Sequence, residues 1–94
     1  MTEESHPIVI YSSPFCGFCA AAKKLLTSKH AEYFEIDIMA NPDRRAEMIK
    51  RSGRRTVPQI FIATRHIGGY DDLKALDTAG ELDPLLDSVT SSSN

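Results

Sequence analysis

Cys16 and Cys19 stand two residues apart in the segment CGFC, and the chain has no other cysteine. Two thiols at that spacing could ligate zinc, close a structural disulfide, work as a redox pair or simply fill space. A structural zinc site takes four ligands, usually as two separated pairs. Here a single pair stands alone, and His6, His30 and His66 have no metal-like spacing, so zinc is disfavoured. Idle packing is disfavoured too, because Cys16 falls where a strand gives way to a helix and not on a core-facing stripe.

A redox pair fits that position. At a helix N-terminus the unpaired backbone N–H groups and the macrodipole stabilise negative charge. Helix placement and a Cys-X-X-Cys context both favour the thiolate, the reactive form. Cys16 at the junction is therefore the expected nucleophile. Cys19, one turn into the helix, is less exposed and harder to ionise. Three-residue spacing puts both sulfurs on one side of the first turn, close enough to form a disulfide. In this reading Cys16 attacks and Cys19 resolves.

The rest of the chain must supply the scaffold. Its 94 residues suffice for one domain with a modest core. With 41% hydrophobic and 26% charged residues the composition is that of a globular protein and not of a disordered one. A formal net charge of -2 argues against nucleic acid as the main partner. No apolar run approaches membrane-spanning length. The start, MTEESHP, is polar and acidic and does not resemble a secretory signal. The cytoplasm is the expected compartment, where thiols are kept reduced and a permanent disulfide is disfavoured. Residues 1–6 and 89–94 are expected to be flexible, the latter within the Ser-rich tail SVTSSSN.

Residues 8–11, IVIY, read as a buried strand. From about Gly17 to Lys29 good helix formers dominate, with Phe18, Ala22, Leu25 and Leu26 on one face. In YFEIDI (33–38), Phe34, Ile36 and Ile38 alternate with polar neighbours, which predicts a second strand. A helix follows, with Asn41 as N-cap, Pro42 at its first position and Gly53 as C-cap. Gln59–Ala63 reads as a third strand and Arg65–Ile67 as a fourth after a tight turn. One helix should run from near Asp71 or Asp72 to near Gly80, and a last one over 82–89. The order is β-α-β-α-β-β-α-α. A strand-helix-strand opening implies a parallel pair with a right-handed crossover, and the closing strands can only pair as a hairpin. The result is a four-stranded mixed sheet with helices on both faces. Basic residues gather in RRAEMIKRSGRR (44–55); such a cluster is either a solvated helix face or a source of arginines for a small anionic ligand.

Three segments in this order and spacing, YSSPFCGFC, TVPQIFI and GGYDDLKAL, resemble a dithiol glutaredoxin of the small bacterial, glutaredoxin 3-like type. The resemblance runs from about Ile8 to Leu86. It implies a thioredoxin-like α/β fold, which agrees with the element order, and a glutathione-dependent thiol–disulfide oxidoreductase acting through Cys16 and Cys19. It further implies a cis bond before Pro58, the proline of the T-V-P segment, facing the active cysteine. Val57 would then present its backbone to the cysteinyl part of glutathione, flanked by Thr56 and Phe18. Gly69, Tyr70 and Asp71 would hold the γ-glutamyl end, Asp71 by taking its ammonium; the plainer reading of Asp71 and Asp72 is that they cap a helix.

Two departures from the family pattern stand out. Gly17-Phe18 replaces the common Pro-Tyr, and Ser13 stands where many members carry a lysine. Arg45 or Arg55 would then contact the glycyl carboxylate. The implied partners are glutathione and disulfide-containing or glutathionylated proteins, met by a monomer. Gly17 also resembles the C-G-F-S segment of monothiol glutaredoxins. That suggests an alternative, a carrier of a [2Fe–2S] cluster held in a dimer by Cys16 and glutathione, since four thiolates are needed. Cys19, a resolving thiol, favours disulfide chemistry over this alternative.

Overall fold

In the computed structural model, which describes residues 7–90, four strands form one sheet in the order β2-β1-β3-β4. The strands are β1 (Ile8–Ser12), β2 (Phe34–Asp37), β3 (Gln59–Ile62) and β4 (Arg65–Gly68). The helices are α1 (Gly17–Ser28), α2 (Pro42–Ser52), α3 (Tyr70–Thr78) and α4 (Leu82–Thr90). The element order is the one expected. β1 pairs parallel with β2 and antiparallel with β3, and β3 pairs antiparallel with β4. Of the segments expected to be flexible, 1–6 and 89–94, residues 1–6 and 91–94 lie outside the described residues. Val89 belongs to α4 and packs against the core.

The sheet is covered on both faces, which explains why β1 is an unbroken apolar run. Ile8 and Ile10 of β1, with Ile60 and Ile62 of β3, face Ala22 and Leu26 of α1, Leu73 of α3, and Leu82 and Leu86 of α4. Val9, Tyr11 and Phe61 turn the other way, towards Met48 of α2 and Ile36 and Ile38. Tyr11 also donates its hydroxyl hydrogen to Glu47 and accepts from Arg51 Nη1 at 2.7 Å, tying β1 to α2.

Helix ends follow local chemistry. Asn41 precedes α2 and Pro42 opens it; Gly53 closes it in the left-handed region, at φ 74°. The β3–β4 turn is made by Ala63 and Thr64, both at positive φ (50° and 72°), the backbone twist that a two-residue hairpin favours.

One expectation fails at Phe18. It does not share the buried face of α1, which consists of Cys19, Ala22 and Leu26. Phe18 is 63% exposed, because the core-facing stripe of the first turn passes through Cys19, about 100° further round the helix.

Candidate active site

Cys16 is the N-cap of α1, in extended conformation (φ -122°, ψ 109°). Its Sγ accepts the Cys19 backbone N–H at 3.1 Å, a place usually taken by a serine or aspartate oxygen. The contact fixes the sulfur at the first turn of α1. Cys16 Sγ is half-buried and lies 3.7 Å from the Val57 carbonyl oxygen. Cys19 is 1% exposed. Burial, and then the Cys16 sulfur beside it, push its thiol up to about 12, although the Ser13 amide and Lys23 act the other way. Of the two sulfurs, Cys16 is the accessible one.

The Val57–Pro58 peptide is cis, as the resemblance implied. Next to Cys16 opens a groove of about 300 Å³. Thr56, Val57 and Pro58 line it on one side, Gly69, Tyr70 and Asp71 on another, and Phe18 closes it. The rings of Phe18 and Tyr70 stack with centroids 6.2 Å apart. The exposed Phe18 thus has a place: it forms a wall of the groove together with α3.

Two residues that line the groove were not among those expected there. Arg54 lines the groove, whereas Arg45 and Arg55 do not. Arg45 lies in the first turn of α2 on its exposed side, and Arg55 is exposed on the loop before β3. In an extended loop consecutive side chains point to opposite sides, so only one of the Arg54-Arg55 pair can face inward; the sequence offers no signal to choose between them. The remaining basic cluster is structural in part: Arg51 lies over the Phe61 ring at 4.2 Å, and Arg44 pairs with Glu47 at 3.4 Å.

Asp72 is the second. Its Oδ2 accepts the Gly69 N–H at 3.0 Å and pairs with Arg54 Nη1 at 3.1 Å. The Gly69 amide, then Arg54, hold its carboxyl below the ordinary value. Asp72 is therefore the helix cap, while Asp71 is exposed on the groove. The capping role expected of the Asp-Asp pair thus falls to Asp72.

Gly68 makes this corner dependent on glycine. Its φ of 121° suits only glycine, and a Cβ would lie 2.7 Å from Asp72 Cγ and 3.1 Å from Arg54 Nη1. Gly68→Ala should cost about 2 kcal/mol, seen as a fall in Tm on the order of 10 °C. It should also displace Asp72 from the Gly69 amide. Thermal unfolding followed by circular dichroism checks this; an unchanged Tm would mean that the corner relaxes freely.

Comparison with known proteins agrees with the geometry. The glutaredoxin family profile matches residues 8–67. Glutaredoxin 3 of Escherichia coli K12 is 57% identical over 79 residues, covering 84% of this chain and 95% of that protein. A glutaredoxin of Pseudomonas aeruginosa is 48% identical over 80 residues, covering 85% and 95%. Among solved structures, a buckwheat glutaredoxin–glutathione complex superposes with a TM-score of 0.86 at 35% identity, covering 92% of this chain and 81% of that one. A glutaredoxin from Brucella melitensis gives 0.76 at 56% identity, covering 86% and 88%. The fold is thioredoxin-like, the Cys16/Cys19 pair serves glutathione-dependent thiol–disulfide exchange, and the chain belongs to the glutaredoxin family, in its small bacterial, glutaredoxin 3-like branch.

Proposed function

We propose that glutathione lies extended in the groove with its sulfur at Cys16. The observation that carries this reading is the placement of Cys16 Sγ, capped by the Cys19 amide at 3.1 Å and 3.7 Å from the Val57 carbonyl at the groove's edge. The Val57 backbone offers the polar groups that an extended peptide needs. The α3 N-terminus suits the γ-glutamyl carboxylate, and Asp71 its ammonium. Arg54 is the cation in the groove, so it takes the glycyl carboxylate assigned above to Arg45 or Arg55.

With a glutathionylated protein, the Cys16 thiolate attacks the glutathione sulfur. The protein thiolate leaves and takes up a proton, and Cys16 is left in a mixed disulfide with glutathione. A second glutathione thiolate attacks that sulfur, releasing glutathione disulfide and the Cys16 thiolate. With a protein disulfide, the Cys16 thiolate attacks one sulfur and joins it as a mixed disulfide, while the other sulfur leaves as a thiolate and takes up a proton. Cys19 gives up its proton and attacks Cys16 Sγ, which forms the Cys16–Cys19 disulfide and frees the second protein thiol. Two glutathione molecules then restore the dithiol and leave as glutathione disulfide. The chain acts as a monomer in a compartment with a reducing glutathione pool, the cytoplasm being the expected one. No helix among the described residues is long and apolar enough to cross a membrane.

One chain offers a single accessible sulfur, Cys16, since Cys19 is buried against the core. A [2Fe–2S] cluster would need the Cys16 of a second copy and two glutathione thiolates as well. The cluster enters no step here.

An amide-resolved NMR titration of the reduced protein with glutathione tests the groove. Shifts should concentrate at Val57, Gly69, Tyr70 and Asp71. Shifts that avoid these residues would place glutathione elsewhere.

A further inference from the structure

Gln59 follows Pro58 directly, and its side chain is fully buried (0% exposed). A buried primary amide must find partners for two donors and an acceptor. Its Nε2 donates to the Thr56 carbonyl oxygen at 3.0 Å and to Thr56 Oγ1 at 3.2 Å. The carbonyl can only accept, so the amide cannot be flipped; Oε1 must face the other way. There it lies 2.8 Å from His66 Nε2 on β4. An oxygen without a hydrogen needs a donor, so Nε2 carries a proton. The imidazole is held in place by the Phe61 ring, with centroids 4.9 Å apart.

These contacts form a chain from β4 through the start of β3 to Thr56, on the wall of the groove. We infer that His66 and Gln59 are positioning residues, which hold the Thr56 carbonyl and hydroxyl, and with them the Val57 backbone, in the orientation that receives the glutathione moiety at Cys16. The inference rests on the groove reading above. Neither residue touches the ligand. Their effect passes through a loop that is otherwise exposed at Thr56 and so has no packing of that side chain to fix it.

The hydrogen bond required of His66 has a distinctive property. Both the neutral Nε2–H form and the imidazolium donate from Nε2, so the tie survives protonation. Around the ring, Arg54 disfavours and Asp72 favours its charge, and burial disfavours it more than either acts. Arg65 of its own strand and Glu81 line the hollow beside it. Loss of the Nε2 donor, not a change of charge, should break the chain.

Steady-state kinetics on a glutathionylated peptide test this in the full chain. His66→Phe keeps a ring against Phe61 but removes the donor; it should raise KM on the order of fivefold to tenfold, with kcat within about twofold. His66→Gln, whose amide can donate from a similar place, should recover most of that loss. Gln59→Met, which removes the amide at nearly constant size, should reproduce the His66→Phe effect and keeps the test open if that variant does not fold. The wild-type KM should show no step below the ordinary histidine value of about 6.5, the side on which burial and Arg54 put this ring's titration. The inference is overturned if either donor-free variant folds with an unchanged KM, or if His66→Gln is as impaired as His66→Phe. A wild-type protein with no saturable glutathione dependence would instead overturn the groove reading itself.

Discussion

Replacing Cys16 with serine should lower glutathione-dependent disulfide reduction on the order of a thousandfold or more, on both protein disulfides and glutathionylated substrates. The argument is one of supply. Each route opens with a thiolate attacking a disulfide sulfur, and the chain has only two thiols. The second, Cys19, is 1% exposed, with its thiol pushed up to about 12. Very little of it is ionised at neutral pH, and its sulfur cannot meet a bulky disulfide without disturbing the α1 packing. A serine hydroxyl at position 16 could still accept the Cys19 amide. The fold should therefore hold while activity goes. Coupled assays on the two substrate types, with circular dichroism as a control for folding, check this. Substantial activity left on either substrate would mean that another group attacks.

Cys19→Ser should divide the two activities. Reduction of protein disulfides that needs an internal second thiol should fall to the slow rate at which glutathione resolves the mixed disulfide. Removal of glutathione from a glutathionylated protein should be kept within a few-fold, because that route uses Cys16 and two external glutathione sulfurs. The Cys19 backbone N–H that caps Cys16 Sγ at 3.1 Å belongs to the main chain and survives the change. Equal loss on both substrates would show that the Cys19 side chain serves the first attack as well.

Much of this was legible in the residues. The continuous IVIY run marked a strand covered on both faces, and the Asn41-Pro42 start and Gly53 stop bounded α2 where they stand. The different environments of the two cysteines were legible from position alone, since a helix N-terminus leaves one sulfur accessible and the turn inside it buries the other. What stayed hidden depended on tertiary neighbours. Phe18 reads as a core residue on a helical wheel, yet the first turn of α1 overhangs the groove and its ring stacks on Tyr70. Arg54 and Arg55 are chemically identical in the sequence, and only the path of the loop selects the one that meets Asp72. The Gln59–His66 contact joins residues on adjacent strands around an irregular register at Ile60/Phe61, which no periodicity could reveal.

The central claim is that Cys16 alone receives the glutathione moiety and that Cys19 displaces it where no free glutathione does so first. Intact-protein mass spectrometry after treating the wild-type protein and Cys19→Ser with glutathione disulfide tests it most directly. Cys19→Ser should accumulate one glutathione per chain, mapped to Cys16 by peptide digestion, while the wild type passes through that adduct to an internal Cys16–Cys19 disulfide. Glutathione found on Cys19 of the wild type, or a stable Cys16 adduct that persists with Cys19 intact, would contradict the account.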